Sequence, residues 1–365
     1  MTTEKRLYGL DHLRALAIIM VFFYHYPIVS GGQPFWLPGL VRFGWTGVDL
    51  FFVLSGFLIA SQLFEQIRKG ESISLRDFFL KRFFRIIPAY WVTLAIYFLI
   101  PAFRERESLP PLWKFISFTQ NLGLDLKNAG TFSHAWSLCV EEHFYLLLPV
   151  TLCLLLQTKI LKRSYLIIAA LFLFGFIIRA WCFKHYYLTA PDTDNPWISW
   201  YKYIYYPSYS RLDGLLAGVS LAALKSFKPA LWQKIASHGN VLIGLSMIIL
   251  IAASFISSDE MSFTASVFGF PLVDIGYGLL VAGVISPGNF LYNRKSKITT
   301  ILASLSFGIY LTHKGVINVT LNWLKGYRLN DTVMLLICMA TCFIAARILF
   351  ELIEKPSLRL RKRFV

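Results

Sequence analysis

LDHLRALAIIMVFFYHYP, residues 10–27, decides the fold. It is an almost unbroken apolar run, about long enough to cross a bilayer as one α-helix. Only Lys5 and Arg6 precede it as basic residues and no small-x-small cleavage pattern follows, so it reads as a retained helix, not a removed signal peptide. Arg14 and His25 are out of place in it. At this spacing they stand about 1100° apart around a helix, within about 20° of one face, and roughly 16 Å apart along its axis. One face thus holds a permanent cation near one end and a titratable base near the other. Ionisable groups are costly in lipid and usually line a protein interior or a watery path. The plain alternative is that each snorkels separately to its own headgroup layer.

Composition agrees with a membrane setting. The 365 residues are 56% hydrophobic and 15% charged, against about 25% charged in soluble domains. A net charge of +16 would suit nucleic acid, but the basic residues fall in short clusters between apolar runs, as in polytopic membrane proteins. Membrane lipids, and no nucleic acid, are the expected surroundings. The cysteines Cys139, Cys153, Cys182, Cys338 and Cys342 all lie in apolar runs; they read as buried thiols without a disulfide framework or metal-type spacing.

Taking about 20 apolar residues per crossing, ten segments qualify: 10–27, 44–63, 86–102, 135–156, 164–183, 205–224, 239–257, 264–286, 298–318 and 332–350. The weakest is 205–224, which begins in the aromatic and polar run YKYIYYPSYSRLDG. With the N-terminus inside, inner segments carry 22 Lys and Arg and outer segments 9, the remaining five lying within crossings. That asymmetry puts both termini in the cytoplasm. The expected fold is an all-α integral membrane protein, a bundle of about ten transmembrane helices forming one domain over residues 1–365 with no extra soluble domain. Arg14 then lies in the inner third of the first helix and His25 near its outer end. The outer loops 28–43, 103–134 and 184–204 are long, and two are rich in Trp, Pro and Gly. They could wall a polar, sugar-like acceptor, although interfacial aromatic belts look similar.

Several constellations could carry chemistry. In GWTGVDLFFVLSGFLI (44–59), Gly44, Gly47 and Gly56 permit close helix approach. Asp49 in the same stretch is an intramembrane carboxylate, either a substrate contact or a structural partner for a cation such as Arg211. The inner loop 64–85 ends in Arg82-x-x-Arg85 directly before the next helix. Two guanidiniums three apart share a helix face and suit phosphate; anionic headgroups are the alternative ligand. HAWSLCVEEHFY (134–145) puts Ser137, Glu141 and Tyr145 on one face, with Glu141 at roughly the depth of His25. A carboxylate there would orient the imidazole and leave its other nitrogen as a base. A zinc site from His25, His134, Glu141 and His143 fits no zinc spacing, and no metal is expected. Arg211-Leu-Asp213 suggests an internal ion pair with Asp49 or Glu142. His313, in SFGIYLTH (306–313), reads as a satisfied polar group before a second base. Arg347, Glu351 and Glu354 suit an ion-pair ladder.

Together these residues resemble the acyltransferase-3 family of bacterial integral-membrane O-acyltransferases. The resemblance spans the chain: LDHLRALAIIMVFFYH, GVDLFFVLSGFLI, KRFFRIIPAYW, WSLCVEEHFYLLLP, RLDGLLAG, SFGIYLTH and a closing EKP. It departs at His12, where the family usually has Gly, and at His143, where it usually has Gln. The resemblance implies a cytoplasmic acyl-CoA donor, with acetyl-CoA the first choice. It implies a glycan or lipid-linked sugar acceptor, such as lipopolysaccharide O-antigen or exopolysaccharide, on the outer side of the bacterial inner membrane. By position it makes His25 the base, assisted by Glu141 and Glu142, and makes Arg14, Arg82 and Arg85 the donor-holding groups. Asp49, Ser137, Tyr145, Arg211 and His313 are the candidate substrate contacts. A transporter or channel, with the buried charges forming a solute or proton path, is the rival reading; a structural partner in a glycan-export assembly is the third.

Overall fold

A computed structural model describes residues 7–37, 41–158, 164–190, 195–327 and 329–364. Lys5, Arg6, Lys159, Lys162, Arg163 and Arg328, which helped to orient the chain above, lie outside the described residues. Among the described residues, ten helices of 15 residues or more overlap the ten expected segments: α1 (Tyr8–Ser30), α2 (Gly47–Arg68), α3 (Leu75–Leu99), α4 (Trp136–Gln157), α5 (Ser164–Cys182), α6 (Asp213–Phe227), α7 (Gly239–Ile256), α8 (Phe270–Val284), α9 (Lys297–Leu324) and α10 (Asp331–Leu349). Among the described residues, eight helical stretches are long and apolar enough to cross a membrane. α6, with 15 residues, is short for a crossing, and the 28-residue α9 is broken up by polar groups such as Ser304, Ser306, Thr312, His313 and Lys314.

Two boundaries differ from expectation. α3 begins at Leu75, not near residue 86, because Ser74 caps it by accepting from the Asp77 amide at 3.2 Å. Arg82 and Arg85 therefore stand inside a helix, not in the loop before one. α6 begins at Asp213, not near 205. The aromatic run before it winds into a π-helical turn at Tyr201–Tyr205, and Pro207 and a 3₁₀ turn at Ser208–Ser210 then restart the chain.

Burial sorts the helices. Of the apolar windows, 72% of the residues are buried in the stretches containing α2 and α8, against 22% for α5 and 28% for α7. α2 and α8 are thus central, while α5 and α7 show most of their apolar surface to the surroundings. α2 packs most intimately on α6, because glycines remove the intervening side chains: a Cβ on Gly56 would sit 2.2 Å from the Leu215 carbonyl oxygen, and one on Gly218 2.3 Å from that of Val53. Gly44 and Gly47 bring the start of α2 equally close to Met20 and Ala17 of α1. α1 and α9 run side by side in the same direction. His12 ties them at one end through Thr299 Oγ1 (2.8 Å), and His25 meets His313 further along (3.1 Å).

Candidate active site

Arg14 and His25 both face the protein interior, and each lines its own cavity. The arginine cavity, about 220 Å³, collects Arg14 from α1, Ser55 from α2, Arg82 and Arg85 from α3, Ser137, Glu141 and Tyr145 from α4, and Tyr310 from α9. The helical spacings did this work: Ser137, Glu141 and Tyr145 share one face of α4, and the two arginines share one face of α3. Tyr145 donates to Glu141 Oε2 (2.7 Å), and Arg82 lies over the Tyr145 ring at 5.7 Å while donating to Gln62 Oε1 (3.2 Å). Arg85 reaches Glu354 only at 4.0 Å. Three cations in so small a space, weakly neutralised, form a site for an anionic or strongly hydrogen-accepting ligand.

The histidine cavity, about 250 Å³, lies further along α1 and is lined by Tyr24, His25, Arg106, Ser133, His134, Tyr201, Tyr205 and Lys314, among others. Val48 lines both cavities. The shared face of Arg14 and His25 thus opens on two neighbouring chambers and not on one continuous passage. Tyr310 stands between them, sharing a hydrogen bond with Ser137 Oγ (2.6 Å) and donating to the His134 carbonyl.

The partnership expected between Glu141 and His25 is replaced by another. Glu141 lies deeper, with the arginines: it stands more than one turn into α4, whereas Ser133 and His134, in the 3₁₀ turn before the helix, line the histidine cavity with His25. Glu142 lines neither chamber. His25 Nδ1 instead lies 3.0 Å from the Val21 carbonyl and 3.1 Å from His313 Nε2. His313 Nδ1 lies 2.8 Å from the Tyr310 carbonyl and 3.0 Å from that of Ile309. Carbonyl oxygens only accept, so both Nδ1 atoms carry the hydrogen of a neutral ring, and His313 Nε2 is the acceptor for His25. His25 Nε2 is then left with its lone pair. This is the atom a base would use.

The other expected residues divide. Asp49 and Arg211 pair with each other at 2.6 Å, both 1% exposed, and line neither chamber. Arg211 is further clamped over the Phe270 ring at 3.9 Å. Asp213 pairs with Arg179. His143 bonds Ser208 Oγ at 2.7 Å, away from both chambers. The ladder runs Arg347–Glu351–Lys355 (2.6 and 2.5 Å), while the π-helical turn Phe350–Glu354 swings Glu354 toward Arg85. Among the described residues, no group of three or more His, Cys, Asp or Glu is placed to hold a metal ion.

Sequence reading assigned no role to Lys314 or Glu105. Lys314 Nζ is 3.0 Å from Glu105 Oε1 and 3.2 Å from Ser133 Oγ, and it is the ammonium that lines the histidine cavity. A lysine following His313 inside a crossing was a signal; Glu105, in a loop, gave none. His134 was weighed only as a zinc ligand. Its Nε2 lies 3.3 Å from the Leu311 carbonyl, and its buried Nδ1 has no partner.

A helical membrane-type bundle with a cationic chamber and a basic-imidazole chamber meeting inside it is the class that fold and site define. The acyltransferase-3 family model, described as an acyltransferase domain, matches residues 7–351, and the chain belongs to that family. Peptidoglycan O-acetyltransferase OatA of Listeria monocytogenes is 30% identical to it over 381 residues, covering 97% of this chain and 56% of that protein. O-acetyltransferase OatA of Staphylococcus aureus is 28% identical over 334 residues, covering 87% and 51%. The chain thus spans about half the length of these relatives. No solved structure matches.

Proposed function

We propose that the protein is a multi-pass O-acyltransferase of the bacterial inner membrane. In this reading all ten long helices cross and both termini are cytoplasmic. It takes an acyl group, acetyl first, from cytoplasmic acyl-CoA and gives it to a hydroxyl of an extracytoplasmic glycan. Lipopolysaccharide O-antigen, exopolysaccharide, a lipid-linked precursor and peptidoglycan (the acceptor in the Listeria relative's name) are all of that class. The observation that carries the reading is the lone pair on His25 Nε2, in a chamber that abuts the one holding Arg14, Arg82 and Arg85.

A chamber of about 220 Å³ is smaller than the usual 300–1,000 Å³ of a small-molecule site. It suits the thin thioester arm of the donor, with the phosphates held at the arginine mouth by Arg82 and Arg85. Ser137 and Tyr145 line the arm's path. The acyl carbon must reach the boundary at Val48 and Tyr310, where the acceptor hydroxyl meets it from the histidine side. His25 Nε2 takes the hydroxyl proton as the oxygen attacks the thioester carbonyl. The C–S bond then breaks, and the proton passes to the departing thiolate. Lys314 supplies a fixed positive charge for the oxyanion formed between these steps, and His134 Nδ1 can accept from the acceptor sugar.

Purified protein in lipid nanodiscs with radiolabelled acetyl-CoA tests this. His25→Ala should lower acyl transfer by roughly 10²–10⁴-fold, the usual worth of a general base, with donor binding retained. Full transfer by that variant would end the proposal. Arg82→Ala/Arg85→Ala should instead raise the KM for acetyl-CoA, more so than for a CoA fragment lacking the 3′-phosphate-bearing nucleotide.

A further inference from the structure

A third cavity belongs to neither chamber. It measures about 430 Å³ and lies between the turn at 125–128, the π-helical end of α5 and the segment 198–203. Its lining is mainly polar: Lys127, Asn128, His185, Thr189, Ser199 and Lys202 contribute, with Tyr186 and Tyr203 stacked beside them at 4.1 Å. Asp125 also borders it, but that carboxylate is spent within its own turn, accepting from the amides of Lys127 (3.0 Å) and Asn128 (3.2 Å) and from Asn128 Nδ2 (2.7 Å). The Thr189 hydroxyl is likewise spent on the His185 carbonyl, and His185 Nδ1 on that of Trp181, so the donors that face the cleft are chiefly the ammonium groups of the exposed Lys127 and the half-buried Lys202, with the Ser199 hydroxyl.

Position ties this cleft to the reaction. The same two pieces of chain wall both it and the histidine cavity. Trp197, Tyr201 and Tyr205 face His25, while Ile198, Ser199, Lys202 and Tyr203 face the cleft; Leu126 lies on the first side, and Lys127 and Asn128 on the second. The partition is one helical segment, about 10–12 Å across with its side chains. A single sugar ring cannot occupy both spaces. A chain of sugars lying over the partition can.

We propose that the cleft is a second glycan subsite, taking a hydroxyl-rich sugar unit of a polymeric acceptor whose reacting unit lies at His25. This rests on the acyltransferase reading and narrows its acceptor from any glycan hydroxyl to a unit within a chain. The test uses the full chain in nanodiscs with acetyl-CoA and β-1,4-linked N-acetylglucosamine dimer and hexamer. The hexamer should exceed the dimer in kcat/KM by about tenfold, the worth of one or two net hydrogen bonds. Lys127→Ala/Lys202→Ala should bring that ratio close to one, while Lys184→Ala, on an exposed neighbour outside the cleft, keeps it. A parent ratio near one, or a ratio that survives the double substitution, overturns the subsite.

A second measurement separates this from the activity itself. Hexamer binding to the His25→Ala protein, followed by tryptophan fluorescence, should weaken about tenfold with the double substitution. If that holds while no oligomer is ever acylated, the subsite stands and the acyltransferase reading fails. If the hexamer does not bind, or binds both forms equally, the subsite falls.

Discussion

His25 owes its free nitrogen to two acceptors at Nδ1, the Val21 carbonyl and His313 Nε2, and the share of the second can be measured. His313→Phe removes one of the two acceptors of the His25 Nδ1 hydrogen and leaves the Val21 carbonyl alone to hold it, so the ring is held less firmly in the orientation and tautomer that present Nε2. Turnover should fall about 10–100-fold, a part of what a general base supplies, with the donor KM unchanged and a shifted pH–rate profile. His313→Gln restores an acceptor and should recover part of the loss. An unaltered profile in the Phe variant would make His313 a packing residue. Lys314 needs two variants, because Lys314→Met strands the buried Glu105 carboxylate, a loss worth about 3–5 kcal/mol. Adding Glu105→Gln should restore the melting temperature. Activity should stay about 10²-fold down if the ammonium serves the oxyanion, and return if it serves only Glu105. Outside the helices, burial pushes the Glu260 carboxyl up to about 7 against the opposing pull of Arg42. Its neutral form is thus favoured by folding. Stability from this group is full below the ordinary value of 4.5 and is lost as pH rises toward 7. Glu260→Gln should accordingly raise the melting temperature more at pH 8 than at pH 5.

Among the helices, the α2–α6 contact is the least forgiving. Gly218→Ala would drive a methyl group into the Val53 carbonyl and the Phe57 amide, at 2.3 and 2.5 Å. These are backbone atoms that can yield only by separating the helices. A cost of about 1–3 kcal/mol follows, read as a lower melting temperature in detergent, whereas Gly244→Ala, which meets nothing within 4 Å, should be neutral. Close approach was legible from Gly44, Gly47 and Gly56, since small residues in apolar helices have few other uses. The start of α6 was less so. Tyr205 and Tyr206 are apolar enough to extend a hydropathy window, and only the π turn and Pro207 show that they belong, with Tyr201, to the wall of the histidine cavity. The start of α3 was missed for the opposite reason: its first three turns carry Arg76, Lys81, Arg82 and Arg85, which hydropathy counts as loop and which a capped helix presents on its faces.

For the whole molecule, the proposed topology makes a direct prediction. In intact cells, a membrane-impermeant thiol reagent should label Lys127→Cys and spare Lys234→Cys, and permeabilised cells should label both. The reverse pattern would invert the bundle and leave the arginine cavity facing away from cytoplasmic CoA. The crossings, their order and the bias of basic residues are written along the chain, because lipid filters residues one at a time by polarity. The one-face arrangement of Arg14 and His25 was legible for a related reason: helical rotation is fixed by residue count alone. Depth between helices is not. It follows from how far each element is capped, bent or slid against its neighbours, and so Glu141 came to lie with the arginines and not with His25. Which polar group meets which was settled the same way. The Asp49–Arg211 pair, the histidine contact at His313 and the Lys314–Glu105 pair join positions far apart in the chain, and it is the packing of α1, α2 and α9 that chooses among the partners their charges would allow.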